Sequence, residues 1–123
     1  MAWLILLCAV LFEIAFALLL KLSNGFTRPH VAAVTLIAMV ASVGLLSLAT
    51  RSIPIGLAYA VWASLGAAGA IIGGAFLFDE RLSLVQLLAL ALILFGVVLL
   101  KANTSTTEDN ETGEAIHFQG DAP

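Results

Sequence analysis

The chain has 123 residues, 62% of them hydrophobic and 11% charged, so a soluble globule of this size could not hide its apolar surface. The formal charge of −3 comes from residues 104–123, which hold five acids and no Lys or Arg; the rest of the chain is slightly basic and gives no footprint for nucleic acid. A lone cysteine, Cys8, excludes an internal disulfide framework, and no Cys/His spacing suggests a metal.

Four apolar runs follow in chain order: Ala2–Leu20, Val31–Thr50, a third from about Pro54 to Phe78, and Leu82–Leu100. At 1.5 Å per residue, about 20 residues cross a hydrocarbon core of roughly 30 Å, and each run is long enough. The pattern predicts an all-α membrane protein with four transmembrane helices, at about 2–20, 31–50, 54–78 and 82–100, in one domain over residues 1–102. The first run lacks a basic leading segment and an A-x-A-like cleavage site, so it reads as a retained helix.

The first run contains a single charge, Glu13. A charged side chain at mid-membrane costs roughly 2.5–3.5 kcal/mol on insertion scales. That cost falls when the carboxylate takes up a proton, faces a watery cavity or meets a cation. Such a group can therefore carry a proton and, once ionised, attract a cation. The alternative is a carboxyl hydrogen-bonded between helices. Its neighbours three and four residues away are Ala9, Val10, Phe16 and Ala17, which offer no counter-charge.

The connection 21–30 contains Asn24-Gly25, a turn signal, and Pro29, which opens the next helix. In the second run Ser42 is a polar group among apolar neighbours; it either lines a pocket or bonds its own helix. Pro54 follows a second short connection. Loops this short make consecutive helices antiparallel neighbours.

The third run places Tyr59, Trp62, Gly66, Gly69 and Gly73 on one helical stripe. Its aromatic half can attract an organic cation or donate to a carboxylate; an interfacial aromatic belt is the alternative. Its glycine half allows close helix packing, and also permits bending or sliding during conformational change. The turn "DER" at 79–81 precedes the fourth run, where Gln86 is the sole interior polar group. Ala89 and Gly96 share a face that suits a helix contact, including one between subunits. Residues 103–123 read as a disordered acidic tail, in which His117 and Phe118 are solvated.

Both termini and the second connection share one membrane side, with Arg51 and Lys101; the other side has Lys21, Arg28 and Arg81. A bias of one residue is too weak to fix orientation. Either one orientation wins regardless, or the chain inserts both ways and two copies pair head to tail.

There is no phosphate-binding glycine loop, nucleotide motif or Ser/His/Asp set. The sequence therefore predicts neither an enzyme nor an ATP-driven pump, and no cofactor. A pore is disfavoured by the scarcity of polar lining residues. A non-transporting assembly subunit, with Glu13 as interhelical glue, is the reading from another class.

Three pieces together carry a family resemblance: "FEI…LLKLSNGFTR" around Glu13, "IPIGLAYAVWASLG" around Tyr59 and Trp62, and "LILFGVVLLK" at the end of the fourth run. Over residues 1 to about 102 the chain resembles the small multidrug resistance family of bacterial inner-membrane exporters. The resemblance implies an antiparallel, dual-topology homodimer in which Glu13 binds protons or a cationic substrate in turn. That is proton-coupled antiport by alternating access, with Tyr59, Trp62 and Ser42 lining the pocket. "TRSIPIG", "GAAGA" and Lys101 look like the family's guanidinium-exporting branch. Phe16 and Ser64 depart from it, standing where that branch usually has tryptophan and glycine. Phe16 makes the pocket greasier, which favours hydrophobic cations. The expected substrates are thus quaternary ammonium and/or guanidinyl compounds, with a dedicated guanidinium exporter as the alternative.

Overall fold

The computed structural model describes the backbone of residues 1–120 and the side chains of residues 1–104. The order is α1 (Ala2–Leu22), α2 (Pro29–Ala49), α3 (Ile55–Leu77) and α4 (Leu84–Gly120). All four are long and apolar enough to cross a membrane, the last over Leu84–Thr104. The chain is a multi-pass, all-helical membrane protein.

Local chemistry sets the helix ends. After α1 the backbone turns through three residues with positive φ, Asn24, Gly25 and Phe26. The buried Ser23 braces this turn: its hydroxyl donates to the Leu20 carbonyl (2.6 Å) and accepts from the Phe26 N–H (3.2 Å). Arg28 is extended, as a residue before proline should be, and Pro29 starts α2. α4 opens with a reciprocal cap. The Ser83 N–H donates to Gln86 Oε1 (2.9 Å), and the Gln86 N–H donates to Ser83 Oγ (3.2 Å). The spacing Ser-x-x-Gln was there to read, and it moves the helix start two residues past the expected 82.

The far end of α4 differs more. Past Leu100 nothing stops the helix before Gly113, since residues 101–112 contain neither Gly nor Pro. The Thr104 hydroxyl donates to the Leu100 carbonyl at 2.8 Å, within the helix. Extending an existing helix needs no new nucleus. The stretch expected as a disordered tail, 103–123, accordingly continues the helix as far as Gly120; residues 121–123 lie outside the described residues.

α1 packs against α2 and α3, while α4 leans on α3 and makes no close backbone approach to α1 among the described residues. The core lies between α1, α2 and α3, around Leu6, Ala9, Leu46, Leu57, Ala58 and Val61. The outward faces are apolar too: Leu4, Leu11, Ile37, Val40 and Leu92 are all more than 60% exposed, which suits lipid rather than water. Cys8, expected to pack, is exposed on α1.

Glycines set the α1–α3 approach. A Cβ at Gly69 would collide with the Ile14 side chain, and one at Gly73 would lie 2.9 Å from Leu18 Cδ1. Small residues let these backbones close together. Gly96 is different: a Cβ there would meet nothing within 4 Å among the described residues. Any packing at Gly96 therefore needs a surface from outside this chain. At the loop end of the bundle, Lys21 of α1 pairs with Glu80 of the α3–α4 turn. The Lys21 ammonium also sits 4.6 Å from the Phe78 ring centre.

Candidate functional site

Glu13 lies in the middle of α1, half-buried and facing α2 and α3. Ser42 is fully buried opposite it on α2. The Ser42 hydroxyl donates to the Ala9 carbonyl of α1 at 2.8 Å. The same oxygen is 3.4 Å from Glu13 Oε2, at the outer limit of a hydrogen bond. It also accepts the indole N–H of Trp62 at 3.0 Å.

Ser42 is thus the node of a chain running Trp62–Ser42–Glu13. A serine hydroxyl has one proton to donate and two lone pairs. With the proton committed to Ala9, the carboxylate is held only loosely. Turning that one O–H redirects it to Glu13, so the site has two hydrogen-bonding arrangements without moving a helix.

The Tyr59 and Trp62 rings are 5.3 Å apart and tilted by 51°. Trp62 is half-buried against the core, whereas Tyr59 is 55% exposed at the open edge. Behind Glu13 lies Gly66, where a Cβ would stand 2.9 Å from Glu13 Cγ. The stripe read from α3 therefore does two jobs. Its aromatic part joins the polar chain, and its first glycine makes room for the acid.

Among the described residues no basic side chain reaches Glu13, and no cluster of three His, Cys, Asp or Glu could hold a metal. An ionised Glu13 has no counter-charge from these residues. About four lone-pair directions exist on a carboxylate, and the single long contact from Ser42 leaves most of them for a ligand.

The residues expected to form the pocket are largely brought together: Glu13, Ser42 and Trp62 by hydrogen bonds, and Tyr59 through its ring contact with Trp62. Phe16, half-buried one turn along α1, shares Glu13's side of the helix. Two expectations change. Ser42 bonds across to α1 rather than within its own helix. The indole N–H meets a serine rather than the carboxylate. Ser64, which stands in for a glycine, is buried and satisfied within α3 by donating to the Val61 carbonyl at 3.1 Å. Sequence reasoning missed Gly66 as the backing of Glu13; the signal available was its place on the Tyr59–Trp62 stripe.

Residues 1–93 match the family model described as "Small Multidrug Resistance protein". The chain is 50% identical over 101 residues to a protein named "Guanidinium exporter" of Yersinia pseudotuberculosis serotype I (strain IP32953), covering 82% of this chain and 97% of that one. It is 45% identical over 104 residues to a "Guanidinium exporter" of Citrobacter freundii, covering 85% and 99%. The protein of the same name from Proteus vulgaris is 45% identical over 101 residues, covering 82% and 97%.

Proposed function

Because the chain belongs to the small multidrug resistance family, we propose that it exports guanidinium and small guanidinyl cations across the bacterial inner membrane in exchange for protons, both binding at Glu13. The observation that carries this is an unpaired carboxylate inside the bundle, loosely held by a serine that has another acceptor within reach. Relatives named guanidinium exporters at 45–50% identity favour this narrower substrate over the broad range of quaternary ammonium and guanidinyl cations expected from Phe16.

The chemistry suits a planar cation. Guanidinium presents paired N–H donors that match a carboxylate's two oxygens. The Trp62 face, beside Tyr59, supplies a surface for the cation. When the cation leaves, a proton neutralises the carboxyl and removes the cost of an unpaired charge in the membrane. The Ser42 hydroxyl then returns to the Ala9 carbonyl. Proton and cation exclude each other because they compete for the same lone pairs, and that exclusion is what couples the two fluxes.

Two copies of this chain, packed in opposite orientations, form the transporting unit in this reading. The near-balanced distribution of Lys and Arg between the two membrane sides supports dual insertion. Gly66, Gly69 and Gly73 let α3 slide on α1 as the site opens to alternate sides.

Phe16→Trp tests the substrate. An indole N–H at this position can donate to Glu13, as phenylalanine cannot. Reconstituted wild-type protein is expected to move guanidinium down an opposing pH gradient faster than tetra-alkylammonium ions. In Phe16→Trp, guanidinium flux should hold or rise severalfold while bulky cations lose ground. Wild-type preference for tetra-alkylammonium, abolished by the same substitution, would assign the hydrophobic cations instead.

A further inference from the structure

Away from Glu13, the lipid-facing side of the bundle carries an apolar groove that ends in a cation. Because α4 rests on α3 and stands off from α1, a cleft of about 430 Å³ opens between them. Val61 and Leu65 of α3 form its floor; Trp3 and Leu7 of α1 and Leu94 and Val98 of α4 form its walls. Lys101 closes one end, its ammonium 4.6 Å from the centre of the Trp3 ring. From Leu94 to Lys101 is two helical turns, roughly 10 Å along the axis. A second hollow of about 170 Å³ shares Trp3 and Lys101 and adds Ser52 and Thr104, whose side chains carry hydroxyls.

These features coincide with one depth in the membrane. Lys101 and Thr104 are in the last turn of the α4 span, which ends at Thr104, and Trp3 is near the start of α1. Indole rings and lysine ends favour the level of the lipid headgroups. Below that level the cleft is wholly apolar.

We infer that this groove binds an anionic phospholipid, with one acyl chain between α1 and α4 and the phosphate against Lys101, Ser52 and Thr104. The charge at the groove's end selects the occupant. A neutral lipid leaves the ammonium without an anionic partner from the ligand, whereas a phosphate meets it at headgroup depth, as basic pockets between membrane helices do. The cleft is also too small for a helix of a second copy. A two-turn length of helix about 10 Å wide fills roughly 800 Å³.

Native mass spectrometry of the full-length protein in detergent tests this, with phosphatidylglycerol and phosphatidylcholine of identical acyl chains as probes. Phosphatidylglycerol is expected to be retained at least about fivefold better, and Lys101→Gln should remove that preference. Val98→Trp, which fills the groove without touching the charge, should reduce retention of phosphatidylglycerol by a similar factor. Oligomeric state and helix content are followed in parallel. Equal retention of the two lipids, or a preference that survives Lys101→Gln, would overturn the site. A preference lost in Lys101→Gln but untouched by Val98→Trp would mean attraction to surface charge alone and would also overturn it. Dissociation of the oligomer by Val98→Trp would give the groove to a second copy. None of these outcomes depends on which cation is exported.

Discussion

Glu13→Gln is expected to abolish coupled guanidinium transport and to weaken guanidinium binding by about a hundredfold or more, with the helices intact. The amide matches the carboxyl in size and can still accept from Ser42, so packing around Gly66 is preserved. What disappears is the charge and the ability to take up a proton. Truncating one partner of a buried, hydrogen-bonded charge pair typically costs 2–5 kcal/mol or more, and each 1.4 kcal/mol is about tenfold in affinity. The measurement is guanidinium flux into proteoliposomes under a pH gradient, with circular dichroism in detergent as the check on folding. An assembly role for Glu13 makes the opposite expectation: the variant would lose its oligomer, and the wild type would show no competition between cation and proton.

Gly66→Ala should be nearly as damaging, although it touches no ligand. The added methyl would stand 2.9 Å from Glu13 Cγ, closer than side-chain carbons pack. Overpacking of this kind costs about 1–3 kcal/mol, and rotating Glu13 away from Ser42 is the easiest relief. Guanidinium affinity should therefore fall by about tenfold or more, while thermal stability in detergent changes little once the acid has moved. Gly74→Ala provides the contrast. Its methyl would approach Glu80 Oε2 at 2.8 Å, an equally short contact. That atom is the mobile tip of a half-exposed side chain paired with Lys21, and exposed pairs contribute at most about 1 kcal/mol. Gly74→Ala should bind guanidinium like the wild type. Equal losses in both variants would mean that α3 tolerates no added bulk anywhere, and that Gly66 has no particular tie to Glu13.

The architecture was legible because lipid imposes coarse rules. Four apolar runs, Asn24-Gly25, Pro29 and the 79–81 turn place the helices to within a few residues. The acid stood out because one charge among nineteen residues has no innocent place in a membrane helix. The wiring of the site was less accessible. That Ser42 reaches Ala9 of another helix, and takes the indole N–H, depends on how α1, α2 and α3 cross, and periodicity along one helix carries no such information. The same holds for Gly96, whose face shares a stripe with Ala89 but meets nothing in this chain. Helix spacing also hid the stand-off of α4 from α1, because an apolar face reads alike whether a helix or a lipid covers it. The C-terminal reach of α4 was missed for another reason. Polar composition argues that a segment cannot order itself, yet a helix already nucleated can run on into it.

The exchange of a proton for a cation at Glu13 can be observed directly by adding guanidinium to purified protein in weakly buffered detergent and following the pH. Wild-type protein should release protons as guanidinium binds, and apparent affinity should fall as the solution is acidified, by up to about tenfold per pH unit for a single competing proton. Glu13→Gln should release none. Guanidinium that binds the wild type with no proton release, and with the same affinity across the pH series, would contradict a shared site.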